Sequence, residues 1–200
     1  MNKQDLKAFF SEEAMLDLDR YLLLDYYFES LIAPEEAAAH LCQEQSTAQW
    51  KRVHVDEDLR PEFGAKVIDL KVMQIMERPT YPILSGFEEN PTYSCKVRIA
   101  HPHANFGAKI PNLLTAACGE GAYHSPGISS IRLENITFPD RFLSEFPGPQ
   151  FGVSGLRDIL DVRDRPVFFG VVKPNIGLSP DQFAELAYEA WMGGLDIAKD

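Results

Sequence analysis

Near its carboxyl end the chain carries an apolar run, an amphipathic helical segment and a second apolar run. PVFFGVV at residues 166–172 and LDIAK at residues 195–199 have the composition of parallel strands that helices cover on both faces. Between them, Ser179 and Gln182 have the spacing of a capping box, and two glycines end the helical pattern. Parallel neighbours need such a crossover, so the sequence predicts a strand–helix–strand unit of an α/β fold.

A lysine ends each apolar run, Lys173 after the first and Lys199 in the second. The carboxyl ends of parallel strands lie at the edge where α/β enzymes hold their active sites. Neighbouring strands are about 4.8 Å apart, so the two ammonium groups repel and the neutral form of one amine is favoured. A neutral lysine forms a Schiff base with a carbonyl compound or takes up carbon dioxide as a carbamate. The alternative is that both lysines only bind phosphate or acidic side chains.

The region before residue 140 mixes strands and helices in a different pattern. Runs rich in β-branched, aromatic and aliphatic residues predict strands in RYLLLDYYFES, WKRVHVD, AKVIDLKVM, YSCKVRIAH and SSIRLENITF. PEEAAAHLCQEQ and IPNLLTAACGEG predict helices. This mixture indicates an N-terminal α+β domain over residues 1–140. Residues 141–200 then hold linker helices and the strand–helix–strand unit.

The composition limits the partners of the chain. Hydrophobic residues make up 45% of it, enough for a core, and 19 basic against 30 acidic residues give a formal net charge of −11. So acidic a chain is a poor ligand for nucleic acid or anionic lipid, and no apolar run approaches the roughly 20 residues of a membrane helix. The cysteines, Cys42, Cys95 and Cys118, have no zinc-site spacing. We therefore expect a cytoplasmic protein that binds neither nucleic acid nor membrane.

Four segments resemble the large chain of ribulose bisphosphate carboxylase (RuBisCO). KPNIGLSP and GGLDIAKD are similar to the family patterns K-P-K-x-G-L-S and G-G-x-D-x-x-K-D-D-E at the start of its barrel, EQSTAQW is similar to E-S-S-T-x-T-W, and NFG is a weaker match. Their order and spacing follow the family over all 200 residues. The resemblance implies an α/β protein: an N-terminal α+β (ferredoxin-like) domain, then the beginning of a TIM (β/α)8 barrel, in a homodimer. A barrel takes roughly 250 residues, so we expect the chain to be truncated.

Departures from the family pattern bear on the reaction. Asn175 stands where the family has the second lysine of K-P-K, and Gln49 where it has a threonine that helps hold a substrate phosphate. Ala104 stands at the family's asparagine, which Asn105 replaces only after a one-residue shift. The chain is therefore more similar to the RuBisCO-like proteins, the non-carboxylating branch. Those proteins enolise or isomerise phosphorylated sugars, methylthio-sugars among them, and some serve sulfur metabolism or methionine salvage.

The resemblance implies roles for the two lysines. Lys199 corresponds to the lysine that becomes a carbamate and so an oxygen ligand for Mg²⁺, with further metal ligands beyond Asp200. The metal would polarise the substrate carbonyl and stabilise an enediolate. Lys173 corresponds to the lysine beside the reacting carbon, as acid/base or electrostatic stabiliser. The alternatives are a strand-end lysine paired to a carboxylate for Lys199 and phosphate anchoring only for Lys173.

The remaining site predictions also follow from the resemblance. Glu44 corresponds to a glutamate that reaches across the dimer into the partner's barrel, the alternative being a solvated helix end. Asn105, Thr47 and Asn175 are the predicted substrate-binding residues, for a small phosphorylated sugar. Trp50 is expected only to pack.

Other interpretations of the sequence stay open at this point. The two-lysine arrangement also suits a Schiff-base aldolase, which borohydride would trap on a lysine. A further interpretation is a non-catalytic homologue with a regulatory or scaffold role. His101 and His103, in HPH, have no third ligand near them and are interpreted as loop histidines.

Overall fold

The computed structural model describes residues 3–81 and 91–199. These residues form two compact units that divide between Phe146 and Pro147. In the described ranges, no helix has the length and apolar character that crossing a membrane requires.

A four-stranded antiparallel sheet in the order β2-β3-β1-β4 forms the centre of the first unit. Its strands are β1 (Tyr21–Ser30), β2 (Lys66–Met76), β3 (Thr92–Pro102) and β4 (Ile128–Thr137). The helices are α1 (Lys3–Lys7), α2 (Pro34–Gln45), α3 (Arg60–Phe63), α4 (Ile110–Cys118), α5 (Glu120–Tyr123) and α6 (Asp140–Leu143). Short 3₁₀ turns cover Glu13–Met15, Leu18–Arg20 and His103–Asn105. The succession β1-α2-β2-β3-α4-β4 is the split βαβ pattern of ferredoxin-like domains, as the sequence predicts.

One face of the sheet carries the core of this unit. Leu22, Leu24, Tyr26 and Phe28 alternate along β1 and belong to one buried cluster with the inward faces of α2 and α4. β1 is hydrogen-bonded on both sides, to β3 and to β4, so its inward side chains are shielded from water on every side. The α2 contribution consists mainly of alanines, which let the helix backbone approach the sheet closely.

The opposite face of the sheet carries paired charges beside a small buried cluster of Tyr21, Leu23 and Ala100. Arg98 on β3 donates to Asp25 on β1 (Nε to Oδ1, 2.7 Å), and this bond lowers the pKa of Asp25 despite partial burial. Lys96 and Glu134 pair across the sheet at 2.9 Å. These charged residues alternate with the core residues, so this face is mainly polar apart from the small cluster around Leu23.

The strand predicted over residues 50–56 is wrong, because this segment is a loop. The Leu59 N–H donates to the carbonyl of Trp50 (2.9 Å), which brings the loop ends together. His54 adopts a positive φ of 64° and Val53 is 72% exposed. Among the described residues, the alternation that resembled a strand has no neighbouring strand to pair with.

The second unit contains the predicted strand–helix–strand element. Its helices and strands are α7 (Gly152–Leu160), β5 (Phe169–Val171), α8 (Pro180–Met192) and β6 (Ile197–Lys199). β5 and β6 pair in parallel. The predicted capping box is confirmed, since the Ser179 hydroxyl accepts from the Gln182 N–H and the Gln182 side chain accepts from the Ser179 N–H. Gly193 is the C-cap of α8, as predicted.

The β5–β6 pair is covered on one face only within the described residues. Gly170 and Val172 face α8, and a Cβ at Gly170 would clash with Leu195. Phe169 and Val171 alternate with them and are 55% and 46% exposed. Within the described residues α8 packs on one face of the pair, so burial on both faces stays a prediction.

Candidate functional site

The two strand-end lysines lie next to each other at the carboxyl end of the β5–β6 pair. Lys199 lies in register with Val171, and the Val172 N–H donates to the Lys199 carbonyl (2.7 Å). This bond extends the pairing past β5 and places Lys173 at the next position. Because in-register residues of neighbouring strands project on the same side, Lys199 projects on the same side as Val171. Lys173 follows β5 and lines a pocket of about 220 Å³ with Val171 and with Leu186 and Ala190 of α8. Both lysines are exposed.

Asn175 lies in the loop between β5 and α8. It is exposed and lines a pocket of about 320 Å³ with Ser179 and Phe183 at the start of α8. Its side chain is a neutral amide that donates and accepts hydrogen bonds. The lysine edge of the second unit therefore presents two amines and an amide.

In the first unit, Glu44 and Asn105 line the same cleft. The cleft has a volume of about 580 Å³, and the residues around it also include Gln45, His101, Asn112 and Glu120. Glu44 lies in the last turn of α2 and is half-buried. The Asn105 amide donates to the carbonyl of Phe63 (2.8 Å), which ties its 3₁₀ turn to α3. The structure thus brings together two of the predicted site residues that are distant in sequence.

Thr47 follows α2 but is not among the residues that line this cleft. Its side chain is half-buried, and its hydroxyl oxygen has no hydrogen-bond partner within the described part of the chain. A buried hydroxyl without a partner is costly, and because this oxygen is buried the structure does not present it to a ligand.

A buried polar network behind the cleft was not predicted from the sequence. The Gln45 side chain donates to the Tyr26 hydroxyl (2.9 Å) and to the Ala117 carbonyl (3.2 Å), and Tyr26 donates to Ala117 (2.7 Å). His101 Nε2 lies 2.8 Å from the Gln45 carbonyl oxygen. The one sequence feature that pointed to this network is that Gln45 lies inside the EQSTAQW motif. Its partners are 19, 56 and 72 residues away along the chain, so the contacts themselves could not be predicted.

The interpretation of HPH as two loop histidines is wrong for His101. His101 is fully buried in β3, and burial lowers its pKa, so the neutral ring donates from Nε2 to Gln45. His103 lies in the following 3₁₀ turn, with Nε2 3.0 Å from the Asp19 carbonyl oxygen. No group of three or more His, Cys, Asp or Glu side chains among residues 3–81 and 91–199 could hold a metal ion.

An ion pair secures the β5–β6 pair at the end away from the lysines. Arg165 donates through two nitrogens to the two carboxylate oxygens of Asp196, each at 2.6 Å. Asp196 also accepts from the Phe168 N–H at 2.8 Å. The Arg165 hydrogen bonds, followed by the one from Phe168, lower the pKa of Asp196 from 3.8 to about 2.

We expect Asp196 to contribute stability that is lost in acid. Its folded-state pKa is below its ordinary value, so the contribution is present above the ordinary value and disappears as pH falls towards about 2. Urea unfolding midpoints of the wild type and Asp196→Asn, measured near pH 5 and near pH 2.5, should differ more at the higher pH. Asp164→Asn, which removes an exposed carboxylate beside Arg165, is the matched control. An equal difference at both pH values would contradict the assignment.

The fold and the lysine edge define a class of protein: a ferredoxin-like domain followed by the first strands of a parallel α/β barrel whose strand ends carry lysines. Comparison with known families gives a specific result. The family model described as "Ribulose bisphosphate carboxylase large chain, N-terminal domain" matches residues 10–142, and the model of the catalytic domain of the same chain matches residues 152–200. The chain belongs to the RuBisCO large-chain family, as the sequence motifs predict.

Within this family the chain is similar to proteins named RuBisCO-like. It is 58% identical to the "Ribulose bisphosphate carboxylase-like protein" of Chlorobaculum tepidum over 100% of this chain and 46% of the relative. A rubisco-like protein from Burkholderia fungorum has a similar crystal structure, with a TM-score of 0.73 and 27% identity over 90% of this chain and 42% of the other. The dimeric archaeal Rubisco of Hyperthermus butylicus gives a TM-score of 0.71 and 26% identity, covering 98% of this chain and 42% of the other. The chain thus spans about half the length of the proteins it matches.

Proposed function

We propose that this chain is part of a RuBisCO homologue that enolises or isomerises a phosphorylated sugar and does not carboxylate ribulose bisphosphate. The observation that carries the proposal is the neighbouring position of Lys173 and Lys199 at the carboxyl ends of two parallel strands. In a (β/α)8 barrel the helices pack outside, so the face away from α8 is the interior one. The lysines would then lie at the mouth of the barrel, where enzymes of this fold bind their substrates.

The charges at this edge suit proton transfer on an anionic substrate. Two amines attract a phosphorylated sugar, and Lys173 is the residue that we assign to moving the proton next to the carbonyl or stabilising the resulting negative charge. Asn175 contributes hydrogen bonds without a positive charge. Carboxylation also requires carbon dioxide to be added and the product to be hydrated and cleaved, so it depends more strongly on a cation at this position.

The resemblance implies Mg²⁺, and the described residues fit it in part. Lys199 has an exposed amine that carbon dioxide could reach, and its carbamate would supply an oxygen ligand of the kind that Mg²⁺ prefers. The other ligands would have to lie outside the described residues, as Asp200 and the positions after it do. When bound, Mg²⁺ supplies Lewis-acid polarisation of a substrate oxygen.

The 58% identity to a RuBisCO-like protein, against 33% to a ribulose bisphosphate carboxylase over 91% of this chain, supports the non-carboxylating assignment. A place in sulfur metabolism or methionine salvage, with a methylthio-sugar phosphate as substrate, belongs to the same proposal. We locate the protein in the cytoplasm.

Solvent proton exchange tests the proposed function directly. The full-length protein is incubated in D₂O with a panel of phosphorylated ketoses, and the NMR signal of the hydrogen next to the carbonyl is followed. We expect that signal to disappear with at least one sugar phosphate and to persist with Lys173→Met. Lys173→Arg, which keeps the charge but transfers protons poorly, separates proton transfer from phosphate anchoring. Capture of the substrate on a lysine by borohydride would indicate a Schiff-base aldolase instead, and no exchange with any sugar phosphate would contradict the proposal.

We further expect a homodimer in which Glu44 of one protomer faces Lys173 of its partner. With Cys118 replaced by Ser, a mixture of the Glu44→Cys and Lys173→Cys proteins should be joined by a short bismaleimide into a covalent dimer. Glu35→Cys, an exposed position at the other end of α2, is the control and should join to Lys173→Cys far less. A protein that sediments as a monomer, or equal cross-linking of both α2 positions, would overturn this arrangement.

A further inference from the structure

The loop from Trp50 to Leu59 is closed at its base. The Leu59 N–H donates to the Trp50 carbonyl (2.9 Å), and within the loop Arg52 forms two hydrogen bonds with Glu57, at 2.8 and 2.9 Å. Compact loops whose ends meet are frequently functional. This one begins at the last residue of the EQSTAQW motif, so its base fixes the end of that motif.

Arg60 lies under this base and is only 9% exposed. Its guanidinium donates to both carboxylate oxygens of Asp58 (2.9 and 2.8 Å) and to Asp5 Oδ1 (3.0 Å). Its Cζ lies 4.5 Å from the ring centroid of Trp50 and 6.0 Å from that of Phe9. The edge of the guanidinium is thus held by two carboxylates while its face lies against the indole, a favourable cation–π geometry.

The other end of the motif is held by α2. The Ala48 N–H donates to the Gln43 carbonyl (2.7 Å), and the Gln43 side chain donates to the Ala48 carbonyl (2.8 Å). The Ala65 N–H donates to the Ser46 hydroxyl (3.0 Å). Thr47 therefore lies next to a fixed point at Ala48, and the chain between Ala48 and Trp50 is held at both ends.

We propose that Arg60 is a positioning residue for the segment from Thr47 to Trp50 and acts through the indole of Trp50. By fixing Trp50 against the first unit, it holds the segment from Thr47 to Trp50 in one position for contact with a ligand. The role assigned to the segment, contact with the phosphorylated sugar, rests on the proposed function. The indole is thereby more than a packing group, because it transmits the position of Arg60 to the motif.

The position of the indole can be read by ¹⁹F NMR in the full-length protein labelled with fluorotryptophan. The Trp50 resonance is the one that Trp50→Phe removes. We expect Arg60→Met to shift and broaden this resonance and to raise the KM for the sugar phosphate roughly 10-fold or more, with kcat retained within about twofold. Arg60→Lys, which keeps the charge but lacks the planar fork, should give a smaller KM change in the same direction.

Arg52→Met is the matched control, since it breaks an arginine–carboxylate pair in the same loop whose partner is Glu57. It should leave the Trp50 resonance and the KM as in the wild type. If Arg60→Met does not fold, Asp5→Asn weakens the anchor of the same guanidinium and should shift the resonance by a smaller amount. An unchanged Trp50 resonance, or a moved resonance with an unchanged KM, would overturn the proposal.

The positioning role of Arg60 can be tested even if the proposed enzymatic function is wrong. If the wild type exchanges protons on no sugar phosphate, inorganic phosphate replaces the sugar as the probe of the Trp50 resonance. A phosphate-induced shift that Arg60→Met loses and Arg52→Met keeps supports the positioning role without any enzymatic activity. If phosphate shifts the wild-type resonance and Arg60→Met responds equally, or if phosphate has no effect on the wild type, the positioning role is rejected.

Discussion

Ribulose bisphosphate and labelled carbon dioxide, incubated with the full-length protein, are expected to give no labelled phosphoglycerate above background. Removal of one stabilising donor from a pocket in which charge develops costs about 10²–10³ in rate. This chain departs from the carboxylase pattern at two such positions, with Asn175 for a lysine and Gln49 for a threonine. Their combined effect should place carboxylation below detection.

The Rubisco of Hyperthermus butylicus, assayed under the same conditions, is the positive control. Label in phosphoglycerate that increases with the amount of protein would refute the expectation. The double variant Asn175→Lys with Gln49→Thr is measured in the same assay. Carboxylation by that variant, and not by the wild type, would assign the difference to these two positions.

Lys199→Met is expected to abolish proton exchange on the sugar phosphate, a loss of at least about 100-fold. An ammonium group cannot coordinate Mg²⁺, so a metal-binding role for Lys199 requires the carbamate. Exchange by the wild type should therefore depend on Mg²⁺ and rise with added bicarbonate. Lys199→Glu supplies a shorter carboxylate and should retain a trace of activity.

Lys199→Arg is the matched control, because it keeps a positive charge at the strand end but cannot form a carbamate at neutral pH. We expect it to be as inactive as Lys199→Met. Activity in Lys199→Arg would show that the charge alone matters. Full activity in Lys199→Met without a response to bicarbonate would make Lys199 structural and leave the proton transfer to Lys173.

The elements that the sequence predicts well are those whose local pattern and tertiary role agree. PEEAAAHLCQEQ has a proline at its first helical position and glutamates in its first turn, and α2 covers the same residues, Pro34–Gln45. RYLLLDYYFES forms β1 because aromatic and aliphatic side chains suit a central strand. In both cases the residues that favour the helix or strand also supply the side chains that pack in the core.

The loop after Trp50 shows where local pattern fails. Val53 and Val55 alternate with polar residues as in a strand, but contacts from residues 58–60 close the segment into a loop. Arg60 also reaches Asp5, which is 55 positions away. No local periodicity encodes such a contact, so neither the loop nor the anchor could be derived from sequence.

The candidate site divides in the same way. The shared edge of Lys173 and Lys199 follows from strand periodicity and the parallel crossover, both of which the chain displays locally. The joining of Glu44 and Asn105 in one cleft depends on α2 and the β3 end packing side by side, and only the family motifs indicated that these residues belong together. The Gln45–Tyr26–His101 network joins three elements and had no pattern of its own.

The Arg165–Asp196 ion pair and the lysines occupy opposite ends of the same two short strands. The alignment of β5 with β6 is fixed where the strands begin, by Asp196 bonding to Arg165 and to the Phe168 N–H. Beyond the Val172 N–H bond to the Lys199 carbonyl, the loop that contains Asn175 therefore contributes little to keeping the strands in register. Substitutions in that loop can therefore change the reaction while the paired strands stay in place. A fold built in this way can acquire a different reaction without losing its ability to fold.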